Sequence, residues 1–223
     1  MRNSFAKEFS VDLFTDEIGI NPLLNLLKEL NIKARILVIT EKKWDKLNSY
    51  RAKINDEIWV SGTLGMAALG LASLQGKLAL NGDEKTACIR ALQRPQARVE
   101  LGLALRHIAH SAIDISDGLL ADLGHILKLS KIGARLDWGA IPKLSADETV
   151  NTATLQEAVL GGGDDYELCF TAPESAHAQI IEIGKQLNIQ LSCIGVTQHE
   201  HGLRVLDGDQ ALEIKKAGYD HFK

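Results

Sequence analysis

The pentapeptide Asp114-Ile115-Ser116-Asp117-Gly118 constrains this chain more than any other stretch. It follows an apolar run that ends at Ile113 and precedes Leu119 to Ser130, where Leu119, Leu120, Leu123, Ile126 and Leu127 recur at helical spacing. Two carboxylates and a hydroxyl therefore stand at a loop-to-helix junction. A helix start carries unpaired backbone N–H groups and the positive end of a dipole, so it holds a phosphate or takes a short polar side chain as its cap. Carboxylates reach a phosphate only through a cation such as Mg²⁺, which takes hard oxygen ligands and keeps positions open for phosphate oxygens. A plain N-cap by Ser116 or Asp117 meets the same spacing.

Composition narrows the partners. At 223 residues, 45% hydrophobic and 24% charged, the chain can bury a real core as one large domain or as one domain with an added segment. A net charge of -4 and no dense run of Lys and Arg argue against nucleic acid and anionic membrane as partners. Cys88, Cys169 and Cys193 lie far apart, as expected for reduced, buried thiols rather than a disulfide framework or a zinc site. Met1 to Phe14 is broken by Arg2, Lys7, Glu8 and Asp12, and no apolar run is long enough to span a bilayer, so the expected location is the cytoplasm.

Periodicity predicts strand, helix and strand over Phe9 to Phe14, Pro22 to Leu30 and Arg35 to Thr40, then a solvated connection, Glu41 to Lys46. A boundary falls near Ser49. A second unit begins with the strand Ile58-Trp59-Val60, the loop Ser61-Gly62-Thr63-Leu64-Gly65 and a helix from Met66 to Leu74. This order can cradle a phosphate, or equally form a tight turn that packs helix on strand. Gly76 to Lys85 reads as a loop, Thr86 to Gln93 as a short helix, and Pro95 or Ala97 to Ile108 as another. Arg90, Arg94, Arg98 and Arg106 fit either an anion site or a solvated helix face.

Beyond the central helix, Ala134 to Trp138 reads as a strand and Ser145 to Thr154 as a polar loop. Gly161-Gly162-Gly163-Asp164-Asp165 then leads into a strand predicted over Tyr166 to Thr171. The acidic pair suits a cation or magnesium ion, or is merely solvated. An amphipathic helix follows from Ser175 to Leu187, and then two strands, Leu191 to Val196 and Leu203 to Leu206. His199-Glu200-His201-Gly202 is expected as the hairpin turn between them, with no third ligand to make it a metal site.

Asp-Ile-Ser-Asp-Gly-Leu at 114 to 119, Gly-Gly-Asp-Asp-Tyr-Glu-Leu at 162 to 168, Val-Ser-Gly-Thr-Leu-Gly at 60 to 65 and the closing Gly-Tyr-Asp-His-Phe together resemble the C-terminal half of the thiamine-monophosphate kinase family. The likeness covers roughly residues 51 to 223. It implies an α/β (α+β) fold, a mixed sheet packed with helices like the C-terminal domain of aminoimidazole ribonucleotide synthetase, here preceded by the strand-helix-strand segment 1 to 50. It also implies transfer of the γ-phosphate of ATP to thiamine monophosphate. Carried over by position, Asp114 and Asp117 would bind Mg²⁺, Ser116 would touch the nucleotide, and Glu167 and Tyr219 would contact the thiamine part.

The family's N-terminal acidic motifs have no counterpart in residues 1 to 50, where no Gly-Asp-Asp occurs; Ser49 stands for a nucleotide-binding Arg, with Arg51 close by, and Met66 stands for an Asp. The sequence therefore predicts an incomplete kinase with little turnover alone, completed by a homo-oligomer or by a chain that supplies the missing domain. The alternative is a non-catalytic binding module on the same fold.

Overall fold

In the computed structural model, residues 9–13, 34–38, 51–145 and 150–212 are described. Two compact units divide the chain, Met1–Tyr50 and Arg51–Lys223. In the first, β1 (Phe9–Leu13) and β2 (Ala34–Val38) pair in parallel, with Phe9 opposite Ala34 and Leu13 opposite Val38. The helix expected over 22 to 30 and the connection over 41 to 46 lie outside the described residues.

The second unit is built on a seven-stranded sheet in the order β4-β6-β3-β7-β5-β8-β9. Its strands are β3 (Asp56–Ser61), β4 (Ser111–Asp114), β5 (Gly133–Asp137), β6 (Leu168–Pro173), β7 (Leu191–Gln198), β8 (Leu203–Asp207) and β9 (Gln210–Ala211). All neighbours are antiparallel except β5 and β8, so the sheet is mixed. The unbroken apolar run Ile58-Trp59-Val60 is fully buried because β3 has helices over both faces. Ile58 and Val60 face a core with Leu69 of α1 (Met66–Leu74), Leu119, Leu123 and Ile126 of α4 (Leu119–Ser130), and Leu155 and Val159 of α5 (Thr152–Gly161). Trp59 points the other way, stacks on its cross-strand partner Phe170, and meets Leu101 and Leu105 of α3 (Val99–Leu105) and Ile180 of α6 (His177–Leu187). The chain passes from one core to the other between α2 (Gly82–Gln93) and α3, through Arg94 to Arg98.

Five local expectations are corrected. The helix expected from Thr86 begins a turn earlier, at Gly82, and the one expected through Ile108 stops at Leu105. The polar stretch read as a loop to Thr154 opens α5 at Thr152, with the Asn151 side chain accepting the Thr154 N–H at 2.9 Å as an N-cap. β6 starts at Leu168 rather than Tyr166, because Asp164 and Tyr166 take left-handed φ values of 67° and 51°, which no strand accommodates. β7 and β8 do not form a hairpin, since β5 lies between them. The connection through His199 to Gly202 runs over the first residue of β5, where a side chain at Gly133 would strike the Glu200 and Gly202 carbonyls.

Candidate functional site

The β4–α4 loop, residues 114 to 118, is held from inside the helix it precedes. The buried carboxylate of Asp122, in the first turn of α4, accepts the backbone N–H groups of Ser116, Asp117 and Gly118 through one oxygen, at 2.9, 3.0 and 3.1 Å. Burial pushes the Asp122 carboxyl above its ordinary range, and the N–H bonds from Asp117, Ser116 and Gly118 draw it back. Neither Ser116 nor Asp117 is the cap, so the plain-cap reading is overturned. Gly118 closes the loop at φ 116° and ψ 150°, a region essentially restricted to glycine, and a Cβ there would sit 2.9 Å from the Gly161 carbonyl carbon.

That close approach marks a second loop packed on the first. Asp164 N–H donates to the Ser116 carbonyl at 3.0 Å, Tyr166 N–H to the Ile115 carbonyl at 2.9 Å, and Ile115 N–H to the Glu167 carbonyl at 2.8 Å. The two motifs, forty-odd residues apart in sequence, thus form one surface. Alternate residues of 164 to 167 serve its two sides. Asp164 and Tyr166 are exposed and lie toward Asp114 and Asp117: the charge of Asp164 first, then burial, then the charges of Asp114 and Asp117 push the Tyr166 phenol upward. Asp114 is exposed at the end of β4, and Ser116 and Asp117 are half-buried.

Asp165 and Glu167 are buried and point to the other side. Asp165 caps α1, accepting the Gly65 N–H at 2.6 Å and the Ala67 N–H at 3.1 Å; burial raises its carboxyl to about 6 against the pull of those bonds. Glu167 accepts both forks of Arg98, Nε at 2.7 Å and a terminal nitrogen at 2.5 Å, and the Ser61 hydroxyl at 2.5 Å. Arg98 is therefore neither on a solvated helix face nor open to an anion through that edge. The Glu167 hydrogen bond is the main cause that raises the guanidinium pKa further. Asp165, Glu167, Arg90, Arg94 and Arg98 line a cleft of about 480 Å³ between the β3–α1 loop and α2.

Of the positions implied by resemblance, Asp114, Ser116 and Asp117 share one loop beside Asp164, Glu167 lies in the wall of the cleft, and Tyr219 falls outside the described residues. Periodicity missed Asp122, whose place on a helix start disguised a residue that serves the preceding loop; an Asp four residues after a Gly-ended loop was the available signal. Among the described residues no group of three or more His, Cys, Asp or Glu side chains gathers closely enough to hold a metal ion by itself. The donors at Asp114 and Asp117 are hard carboxylate oxygens of the kind Mg²⁺ takes one or two at a time, with water and phosphate supplying the rest, so their chemistry fits an open magnesium site and not a closed cage.

A mixed sheet with helices on both faces, and two interlocked glycine-bearing acidic loops at one end, define an AIR-synthase-type domain. Residues 53–208 match the family model "AIR synthase related protein, C-terminal domain", and the chain belongs to that family. It is 42% identical over 175 residues to the thiamine-monophosphate kinase of Escherichia coli (strain K12), covering 77% of this chain and 54% of that protein, and 41% identical over 180 residues to that of Haemophilus influenzae (strain ATCC 51907 / DSM 11121 / KW20 / Rd), covering 78% and 55%. The crystal structure of thiamine-monophosphate kinase from Stenotrophomonas maltophilia K279a superposes with a TM-score of 0.64 at 41% identity, covering 70% of this chain and 51% of that one. The chain spans about half the length of the curated relatives it matches.

Proposed function

We propose that this chain contributes the C-terminal part of a site that transfers the γ-phosphate of ATP to thiamine monophosphate, giving thiamine diphosphate and ADP. The observation that carries the reading is the interlocking of the 114–118 and 161–167 loops, which sets Asp114, Asp117 and Asp164 on one surface in a chain 42% identical to a thiamine-monophosphate kinase. The attacking group is an oxygen of the substrate's own phosphate, already ionised near neutral pH, so the protein has no proton to remove: one P–O bond forms and the bond to ADP breaks. Positioning and charge neutralisation are what remain for the protein to supply.

Asp114 and Asp117 would hold magnesium, which would supply positive charge to offset that of the phosphates. Ser116 would meet the nucleotide with its hydroxyl. Glu167 is already neutralised by Arg98, so its role toward the thiamine passes through the shape of the cleft wall; no cation pairs with Asp164 among the described residues, and this exposed carboxylate suits the cationic thiazolium ring. Tyr219 would add an aromatic face to that ring. Further oxygen ligands for magnesium come from outside the described residues, from the same protein or a second chain. Without them the same surface binds and does not turn over.

Calorimetric titration with thiamine monophosphate, with and without Mg²⁺ and a non-hydrolysable ATP analogue, tests the reading. Magnesium-dependent binding that disappears in Asp114→Ala/Asp117→Ala supports it; binding unchanged in that folded variant rejects it. Turnover assayed beside the titration separates the kinase from the binding module.

A further inference from the structure

We propose that His110 is a phosphoryl-accepting residue, its Nε2 taking the phosphoryl group of a small activated phosphate, a phosphoramidate or an acyl phosphate. It immediately precedes β4, whose far end carries Asp114, and shares no side-chain partner with the Asp114–Asp117 surface. Three side chains converge here. Asp56, only 3% exposed, places both carboxylate oxygens 2.9 Å from His110 Nδ1, and Lys53 Nζ donates to His110 Nε2 at 3.0 Å. A carboxylate only accepts and an ammonium only donates, so the network selects the tautomer with its proton on Nδ1 and the Nε2 lone pair turned outward.

Backbone bonds hold each member in place. His110 N–H donates to the Thr171 carbonyl at 2.8 Å, and Lys53 N–H to the Asp56 carboxylate at 2.8 Å. The buried Thr197 hydroxyl accepts the Asp56 N–H at 2.8 Å and donates to the Lys53 carbonyl at 2.5 Å, which closes the 53–56 turn. A nucleophilic nitrogen oriented by a hydrogen-bonded third group is the arrangement that covalent group transfer uses. The ammonium sets the class of electrophile. Lys53 is exposed and its stem is flexible, so it swings from Nε2 onto phosphoryl oxygens and offsets their charge, a service that a neutral electrophile does not need. In the step, the Nε2 lone pair forms an N–P bond. The bond from phosphorus to the leaving group breaks, and its electron pair departs with ammonia from a zwitterionic phosphoramidate or with the carboxylate of an acyl phosphate. The Nδ1 proton stays in its bond to Asp56, whose charge stabilises the cationic ring.

The chain carries its own control. His177 Nδ1 pairs with Glu57 at 2.8 Å and its side chain is 49% exposed against 20% for His110, but no lysine meets its ring among the described residues. The full chain is treated with phosphoramidate at neutral pH, and phosphohistidine is counted by phosphorus NMR and located by mass spectrometry among the seven histidines. His110 should react about tenfold faster than the more exposed His177, as for one added charge-assisted bond. Lys53→Ala should slow phosphorylation of His110 by about the same factor, while its acylation by diethyl pyrocarbonate, a neutral electrophile, does not fall. Asp56→Asn, which permits the tautomer with its proton on Nε2, should slow both reactions. No phosphohistidine at position 110 of the folded chain overturns the proposal. So does labelling of His110 no faster than of His177, or a phosphorylation rate unchanged in Lys53→Ala. Lys53 is exposed, so that variant keeps the fold and decides the matter even where Asp56→Asn unfolds.

Discussion

Asp122 offers the sharpest test of how the site is held. Replacing it by Ala strands three N–H donors at once. The Gly118 donor is fully buried, and leaving it unpaired costs about 1–3 kcal/mol. Those of Ser116 and Asp117 are partly buried and regain water in part, adding about 1 kcal/mol each at most. Against this stands relief from a desolvated carboxylate, whose cost shows in its raised pKa. The expected net loss is about 2–4 kcal/mol for Asp122→Ala. Asp122→Asn, whose amide oxygen can replace the one oxygen that accepts all three N–H groups but carries no negative charge, should lose about half as much.

Urea unfolding of both variants measures the loss. A matched core deletion, Ile180→Ala, supplies the control: it removes a fully buried side chain from the opposite core at about 2–5 kcal/mol and touches neither loop. Magnesium-dependent ligand binding should fall in Asp122→Ala and persist in Ile180→Ala under conditions where both are folded. A loss below about 0.5 kcal/mol in Asp122→Ala, within the range of an ordinary surface change, refutes the account of the loop. Equal binding by the two variants refutes its link to function.

Gly118→Ala forces an L side chain into a glycine-only conformation and against the Gly161 backbone; a loss of about 3 kcal/mol is expected in thermal or urea unfolding, and a loss under 1 would mean the two loops separate freely. Arg98→Ala leaves the Glu167 carboxylate with Ser61 alone. Since the two side chains are still 17% and 12% exposed, the expected cost is about 2–3 kcal/mol, below that of a fully buried pair, and Arg98→Ala/Glu167→Gln should recover part of it in a double-mutant cycle. Asp165 binds its proton more tightly folded than unfolded, so the stability it contributes is complete below its ordinary pKa of 3.8 and is lost as pH rises through about 6. The difference between wild type and Asp165→Asn across pH 4 to 7 should therefore shift against the wild type by about 3 kcal/mol, and a difference that is flat or of opposite slope rejects the assignment.

Where local pattern and tertiary burial agree, the sequence was readable. Ile58-Trp59-Val60 was a continuous apolar run because both its faces are covered; α4 kept its bounds because its apolar residues recur at one period, and α1, apolar nearly throughout, kept its own between Gly65 and Gly76. The hairpin expected at His199 to Gly202 failed for a non-local reason: strand adjacency is decided by which strand enters between two others, and Ala134 to Asp137, laid down sixty residues earlier, took that place. α5 was hidden because its first turn, Thr152-Ala153-Thr154, carries two weak helix formers in a polar stretch and relies on the Asn151 cap and on Leu155 and Val159 reaching the core.

The site shows the same division more finely. A strand starting at Tyr166 would also have put Glu167 and its neighbours on opposite faces, but it would have carried Asp164 and Asp165 in the ladder's extension. The left-handed turns at Asp164 and Tyr166 instead let four consecutive residues serve two environments: Asp164 and Tyr166 toward the Asp114–Asp117 loop, Asp165 and Glu167 toward α1 and Arg98. Composition cannot distinguish the members of such a set, since three of the four are acidic. What distinguishes them is which oxygens are already taken. The paired carboxylates, Asp165 and Glu167, hold the scaffold; the exposed ones, Asp114 and Asp164, are where a ligand can still gain from a negative charge, and substitutions there should change binding far more than stability.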